Sequence, residues 1–156
     1  PGKKILIRGN HDYWWSSITQ IRNILPENMY AIQNDALELD DCVFCGTRGW
    51  LIPNAESKPE DIKIFKREVA RLELSINAAK KINPKKRLIC LIHYPPCDVF
   101  GNDSEFTDLL SKYEINDVVY GHLHSRGIKQ AFKGNKDGVN YHFVSCDGIG
   151  FKLYEL

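Results

Sequence analysis

Apolar residues recur at helical spacing in the middle of the chain. Ser57 and Glu60 have the spacing of a capping box, and Pro59 lies in the expected first turn. Apolar side chains then follow at steps of three and four until Pro84: Ile62, Phe65, Val69, Leu72, Ile76 and Ala79. This pattern predicts a helix of about 23 residues that packs one apolar stripe against a sheet or another helix.

Short apolar runs bounded by turn residues predict the strands. They cover residues 4–8, 29–33, 36–39, 42–47, 87–93 and 117–120. Shorter helices are predicted after Ser16 or Ser17 and after Ser104, since these residues are good N-caps. At the end of the chain, residues 128–132 and 139–145 predict a hairpin, and residues 151–156 a last strand. Mixed strands and helices without a linker indicate one α/β domain over residues 1–156.

Composition and charge narrow the class of protein. The 156 residues are 43% hydrophobic and 26% charged, which excludes disordered and collagen-like chains. Because Lys and Arg together number 21 and Asp and Glu 20, the net charge of +1 argues against binding of long nucleic acids. The longest purely apolar run, LICLI at residues 88–92, is far too short to span a membrane. We therefore expect no association with a membrane.

Five cysteines cannot all pair within one chain. Cys42 and Cys45 form a Cys-x-x-Cys, but they lie inside a predicted strand and no second pair follows. The cysteines are therefore interpreted as small buried apolar residues of a reducing compartment, with a zinc knuckle or redox pair as the alternative. This predicts a cytoplasmic location.

Histidine and asparagine side chains follow three of the predicted strands. The motifs are Gly9-Asn10-His11-Asp12, His93, and Gly121-His122-Leu123-His124. Ligands gather beyond the carboxyl ends of strands in open α/β sheets, and imidazole nitrogen and amide oxygen suit Zn, Mn or Fe ions. We expect the glycines to let the backbone turn sharply, so that the next side chain points at the ion. The sequence thus predicts a metal site at these strand ends.

Three motifs, in this order and spacing, are similar to a known family. GNHD at 9–12, His93 in LIHYPP and GHLH at 121–124 resemble the last three motifs of the calcineurin-like metallophosphoesterases. The neighbouring stretches GNHDYWW and GTRGW are similar to a bacterial branch of predicted phosphohydrolases. The resemblance implies two mixed β-sheets packed as a sandwich and flanked by helices. It also implies a dinuclear centre of divalent Mn, Fe or Zn and the hydrolysis of phosphomonoesters or phosphodiesters.

The resemblance assigns roles to individual residues. Asn10, His93 and His122 would ligate one ion, and His124 the other. His11 would be the catalytic histidine that faces the leaving-group oxygen, while a hydroxide between the ions attacks phosphorus in line. Asp12 would either orient His11 or hold the turn, and these two roles stay open.

The first two motifs of that family, Asp-x-His and Gly-Asp, have no counterpart in the chain. In the family these motifs supply the carboxylates of the metal centre. Asp147 and Gly148 do not replace the Gly-Asp motif, because they occur in the reverse order. We therefore expect residues 1–156 to be the C-terminal two-thirds of the domain, without its first strands and with an exposed strand edge. Alone, this part is expected to be inactive or nearly so.

Other polar and aromatic residues are weaker candidates. Arg48 is proposed to bind a substrate phosphate, with a structural salt bridge as the alternative. Further candidates for the rim of a pocket are Tyr13, Trp14, Trp15, Asp98, Asn102 and Asp103, and packing of the three aromatic residues is the alternative. His142 is interpreted as structural, because it alternates with Tyr141 and Phe143 in a predicted strand.

The implied substrate is a phosphorylated small molecule or a nucleotide. Two other functions remain open at this stage. The first is a non-catalytic module, a degenerate phosphoesterase fold kept for protein binding. The second is a nuclease or nucleotide-binding enzyme of the same superfamily. A stoichiometric transition metal would argue against the first, and the salt dependence of binding would test the second.

Overall fold

The apolar runs of the sequence form two β-sheets. The computed structural model describes residues 2–156, and within them the strands are β1 (Lys4–Ile7), β2 (Met29–Ile32), β3 (Ala36–Leu39), β4 (Cys42–Thr47), β5 (Arg87–Ile92), β6 (Asp117–Tyr120), β7 (Gly134–Lys136) and β8 (Val139–Phe143). The helices are α1 (Ile18–Ile24), α2 (Pro59–Ile82), α3 (Glu105–Lys112) and a 3-10 helix (Ser125–Gln130). Most predicted strands are therefore confirmed to within one residue.

The strands divide unequally between the sheets. β1 and β2 form a parallel pair, and the other six form a mixed sheet in the order β3-β4-β5-β6-β8-β7. The central pairs of the larger sheet are parallel, whereas the outer pairs at its two edges are antiparallel. Ile92 and Tyr120 lie side by side in register, so β5 and β6 end at the same edge. The next residues, His93 and Gly121, therefore leave the sheet together.

The long helix α2 covers one face of the six-stranded sheet. Four residues of its predicted apolar stripe are buried in the core: Phe65, Leu72, Ile76 and Ala79. Two polar residues of the same helix are also buried, which the apolar pattern did not predict. Ser75 accepts a hydrogen bond from the amide of Gly46 at 2.7 Å, and Glu68 is only 1% exposed. Both tie the helix to β4 by polar contacts in addition to apolar packing.

Two of the three predicted helix caps are confirmed. The hydroxyl of Ser17 accepts a hydrogen bond from the amide of Gln20. Ser104 forms a full capping box with Thr107. The capping box predicted at Ser57 is wrong, because α2 begins at Pro59 and its N-cap, Lys58, makes no side-chain cap. The Ser57 hydroxyl instead accepts from the amide of Asn54 at 2.8 Å, so it closes the preceding turn.

The C-terminal prediction is partly wrong. Residues 128–132 were expected as a strand, but the chain forms the 3-10 helix there, and β7 falls on residues expected as the turn. The hairpin turn is Asp137-Gly138, with φ of 51° and 82°, a two-residue turn that matches the twist of paired strands. Residues 151–156 form no strand, and Phe151 and Leu153 are exposed. An alternating pattern gives a strand only where a partner edge is within reach.

The expected fold class is confirmed as a mixed α/β protein with a six-stranded mixed sheet and flanking helices. No helix of residues 2–156 has the length and apolar character needed to cross a membrane. All five cysteines are free thiols, so Cys42 and Cys45 form no disulfide.

Candidate metal centre

A tight turn after β1 presents Asn10 and His11. The amide of Gly9 donates to Oδ2 of Asp12 at 2.6 Å, and the indole of Trp14 donates to Oδ1 of the same carboxylate at 3.1 Å. Both carboxylate oxygens are thus engaged within the turn. Of the two roles considered for Asp12, the contacts support holding the turn.

Three donor atoms from three strand ends meet at one point. Oδ1 of Asn10 lies 2.7 Å from Nε2 of His93, and the same Nε2 lies 3.1 Å from Nδ1 of His122. Asn10 follows the small sheet, whereas both histidines follow adjacent strands of the large sheet. The edge predicted from a single open sheet is therefore a junction between two sheets.

These separations fit a shared divalent cation. Metal–ligand bonds of about 2.1 Å at angles between 90° and 110° put neighbouring donor atoms about 3.0–3.4 Å apart. The two imidazole nitrogens are within that range, and Asn10 and His93 need to separate by a few tenths of an ångström. One amide oxygen and two imidazole nitrogens suit Zn, Mn or Fe. The three side chains therefore form a donor set for one such ion.

His122 adopts an uncommon backbone conformation. Its φ is +70°, in the left-handed region that few residues other than glycine occupy. Gly121 does not take this conformation, so the sharp turn expected at the glycine occurs one residue later. The ring of Tyr94, which is 5% exposed, packs on His122 with centroids 4.0 Å apart. Strained backbone and a buried aromatic support together fix the direction of the imidazole.

Gly9 is needed for space rather than for backbone freedom. A β-carbon at this position would approach Oδ2 of Asp12 to 3.2 Å and Cε1 of His93 to 3.3 Å. Such contacts would require the Asp12 carboxylate and the His93 ring to shift by a few tenths of an ångström. The glycine of the GNHD motif therefore lets the His93 ring lie against the turn.

The environment favours the neutral form of the two half-buried imidazoles. The pKa of His93 is lowered to about 4, mainly by burial. The neighbouring His122 also lowers it, and this effect is larger than the opposite effect of Asp12. Burial, followed by His124 and His11, also lowers the pKa of His122. Each ring therefore has a free lone pair at neutral pH, which a metal ligand requires.

His11 and His124 border the same cavity of about 290 Å³, whose lining is Ile7, Gly9, Asn10, His11, Asp12, His93, His122 and His124. His11 is exposed, and its ring meets the edge of Tyr13. His124 is also exposed, and Nδ1 of its ring lies 2.8 Å from Oδ1 of Asp147. The structure therefore brings the five predicted histidine and asparagine residues around one space.

Asp147 is a site residue that was not predicted from the sequence. Its second carboxylate oxygen accepts the amide of Ser125 at 2.8 Å, so both oxygens are fixed beside His124. These hydrogen bonds lower the pKa of Asp147, that from Ser125 most and that from His124 next. Cys146 adds a thiol, and the potential ligand atoms of His124, Cys146 and Asp147 lie within 4.8 Å of one another. Spacing gave no signal for this contact, since 23 residues separate the pair.

Arg48 lies elsewhere. Its guanidinium packs over Trp50, 4.6 Å from the ring centroid, and its Nη2 is 3.8 Å from Oε1 of Glu68. It borders a second cavity and is not among the residues that line the histidine pocket. The contacts match the salt bridge that was the alternative interpretation, although the backbone carbonyl of Arg48 accepts the amide of His93 at 3.1 Å.

The remaining candidates have structural contacts. Trp15 is 1% exposed in a small core with Ile21 and Ala31, whereas Tyr13 and Trp14 are exposed near the turn. Asp98 accepts the amides of Phe100 and Asn102, and Asp103 pairs with Lys136. His142 bonds Asp117 at 2.8 Å, in agreement with its structural interpretation.

The comparison with protein families agrees with the motifs. The model of the calcineurin-like phosphoesterases matches residues 1–126 of the 156. The chain therefore belongs to the calcineurin-like phosphoesterase family, whose members generally use divalent metals. No curated protein and no solved structure matches the chain.

Proposed function

We propose that this protein is a metal-dependent phosphoesterase whose histidine pocket holds the ions and receives the phosphate ester. The observation that carries the proposal is the position of His93 Nε2, which lies 2.7 Å from Asn10 Oδ1 and 3.1 Å from His122 Nδ1. One hydrogen bond uses only two of these three side chains. It does not explain why the third, from another strand end, is directed at the same point.

Asn10, His93 and His122 hold one divalent ion in this proposal, and His124 is directed at a second. When bound, such ions supply a Lewis acid for the phosphoryl oxygens and lower the pKa of the attacking water. Because Nδ1 of His124 is bonded to Asp147, its Nε2 is the nitrogen left for an ion. Asp147 would fix the ring's tautomer and orientation, as carboxylates beside metal-bound histidines do.

His11 is the proposed proton donor. It borders the pocket without belonging to the three-donor set, and its exposed ring is able to reach a bound ester. A protonated imidazole there would donate to the departing alkoxide, a contribution of about 10²–10⁴ in rate.

The donor set of one ion is uncharged. Three neutral ligands leave the charge of a divalent cation without compensation, so affinity from these residues alone is expected to be weak. We propose that anionic ligands come from a segment outside these 156 residues, and that the chain alone has little or no activity.

The proposed substrate is a phosphorylated small molecule or a nucleotide. A largely apolar cavity of about 460 Å³ shares His122 with the histidine pocket, and Leu51, Ile52, Val99 and Leu123 line it. An apolar or aromatic alcohol would leave water there while its phosphate stays beside the histidines. Substitution Val99→Asp is expected to raise KM for an aryl phosphate and to leave metal content unchanged.

Metal content and turnover together test the proposal. Protein loaded with Mn²⁺ is assayed with a chromogenic phosphate ester, using the protein that includes any preceding segment and, separately, residues 1–156. His11→Ala should lower kcat by about 10²–10⁴ and leave the Mn²⁺ content unchanged. Loss of metal in that variant would make His11 a ligand.

If the Mn²⁺-loaded protein contains no stoichiometric metal, that result would support the binding-module alternative and contradict the proposal. Turnover by residues 1–156 equal to that of the longer protein would show that no further carboxylates are required.

A further inference from the structure

A second polar cavity lies on the other side of the turn that carries Asn10. Its volume is about 180 Å³, and it opens between the ends of β1 and β2 and the first half of α2. Four of its lining residues are arginines: Arg8, Arg48, Arg67 and Arg71. Among residues 2–156, no side chain lines both this arginine cavity and the histidine pocket.

One buried carboxylate, that of Glu68, lines the cavity together with the four guanidinium groups. Glu68 accepts from Arg71 Nη1 and from the Thr47 hydroxyl, each at 2.7 Å. Arg48 and Arg67 are farther from it, at 3.8 Å. With four positive charges against one negative charge, the cavity keeps a net charge of +3, and Glu68 has its oxygens already engaged.

Two guanidinium nitrogens are buried without an acceptor. Nε of Arg8 and Nε of Arg48 have no hydrogen-bond partner among the described residues. A buried donor without a partner is costly, and charged donors cost more than neutral ones. Trp50 stacks on Arg48 but offers it no oxygen. Arg8 follows β1 and Arg48 follows β4, and both residues line the same cavity.

We propose that this cavity binds a phosphate group between Arg8 and Arg48, with Arg67 and Arg71 at its rim. A tetrahedral oxyanion presents acceptor oxygens in several directions, and the guanidinium fork suits it better than a single ammonium does. The anion would offer acceptor oxygens to the guanidinium groups that line the cavity and offset the surplus positive charge. The proposed site is independent of the metal and of the catalytic proposal.

The electrostatics of Arg48 agree with this geometry. Burial lowers its pKa, Glu68 opposes that effect, and the positive charges of Arg8 and Arg67 lower it further. The cation is therefore poorly compensated by its surroundings. A bound anion would supply the missing compensation.

Phosphate titration of the metal-free full chain, followed by NMR, tests the proposal directly. Buried Nε–H groups exchange slowly enough with water to give signals, so Arg8 and Arg48 report on their own contacts. Inorganic phosphate is expected to shift both signals saturably, with half-saturation at ~1 mM or below. Sodium chloride at equal ionic strength should not reproduce the shift. Methyl phosphate tests whether an esterified phosphate enters equally well.

Substitutions locate the binding. Arg48→Lys keeps the charge but removes the fork, and phosphate affinity should fall at least about tenfold. Arg67→Gln at the half-exposed rim should weaken binding by a smaller factor, about twofold to threefold. Lys81→Gln, an equal loss of charge on the same helix at its far end, is the matched control and should change nothing. If Arg48→Lys fails to fold, the comparison of Arg67→Gln with Lys81→Gln decides.

Three results would overturn the proposal. One is the lack of a saturable shift, which would mean that only water occupies the cavity. Another is an identical response to chloride. The third is a phosphate shift confined to the turn at Asn10 and abolished by Asn10→Ala, which would place the anion in the histidine pocket.

Discussion

The histidine pocket and the arginine cavity border the same stretch of backbone but have opposite chemistry. Arg8 directly precedes Gly9, and the carbonyl of Arg48 accepts the amides of His93 and Tyr94. On one side, an amide oxygen and two imidazole nitrogens of neutral side chains meet through hydrogen bonds. On the other, permanent cations surround a single carboxylate, and two of their N–H groups lack acceptors.

The difference shows how charge state and direction decide what a polar cavity binds. Imidazoles kept neutral by burial offer electron pairs, so a cation fits between them. Guanidinium groups stay protonated in any protein environment and only donate, so they call for an anion. The histidine pocket and the arginine cavity thus lie next to each other with opposite charge requirements.

Removal of His93 should have the largest effect on this contrast. His93→Ala deletes the donor that contacts both Asn10 and His122, so affinity for Mn²⁺ or Zn²⁺ should fall more than about a hundredfold, beyond the range for an outer-sphere partner. Phosphate binding at the arginine cavity should stay unchanged. Competition with a fluorescent chelator measures the first, and His142→Gln is the control. Unchanged metal affinity would remove the three-donor site.

Neutralising Glu68 should act on the arginine cavity alone. The Glu68→Gln variant takes the one carboxylate from beside three guanidinium groups in a buried position, and unfolding in urea should show a loss of about 3 kcal/mol. Phosphate should bind more tightly, because the surplus positive charge rises. Glu73→Gln, on the same helix but in contact with Lys112 and Tyr113 instead of the cavity, should cost less stability and leave phosphate binding unchanged. Weaker phosphate binding would contradict the assigned charge balance.

Asp147 should matter to the metal but less than a direct ligand. Asp147→Asn loses the anionic partner of His124 Nδ1, and affinity for the ion proposed to bind His124 should decrease about 10–100-fold. Calorimetric titration with Mn²⁺ checks this. Asp103→Asn, which alters only a surface pair with Lys136, provides the matched substitution. Equal effects of the two variants would reduce Asp147 to a surface residue.

Folding stability at acid pH should depend on the histidine pocket but not on the arginine cavity. The pKa of His93 is about 4 in the folded chain and near 6.5 when unfolded, so below pH 6.5 the unfolded state binds the extra proton. Stability of the metal-free chain that comes from this group is present above pH 6.5 and declines as the pH falls toward 4. Unfolding curves at several pH values should show a smaller decline for His93→Gln. The arginines keep their charge throughout, so Arg48→Lys should not alter the pH dependence.

Much of the fold followed from local patterns. Residues 36–39, 42–47 and 117–120 were predicted with the bounds that the structure has, since runs of apolar residues between turn residues leave few alternatives. The stripe of α2 was predicted for the same reason. Residues 128–132 and 151–156 were wrongly predicted as strands because pairing depends on an available edge, and a chain pattern does not contain that information.

The sequence alone determined which side chains are able to do chemistry here, because Asn10, His11, His93, His122 and His124 follow strand ends whose apolar runs are plain. Only the tertiary structure decided what they contact. It joined two sheets at the pocket and put the left-handed turn at His122 rather than Gly121. It also set Asp147 beside His124 and directed Arg48 away from the histidines toward Arg8 and Glu68. These are contacts between residues far apart in the chain, fixed by packing and register, which no local pattern encodes.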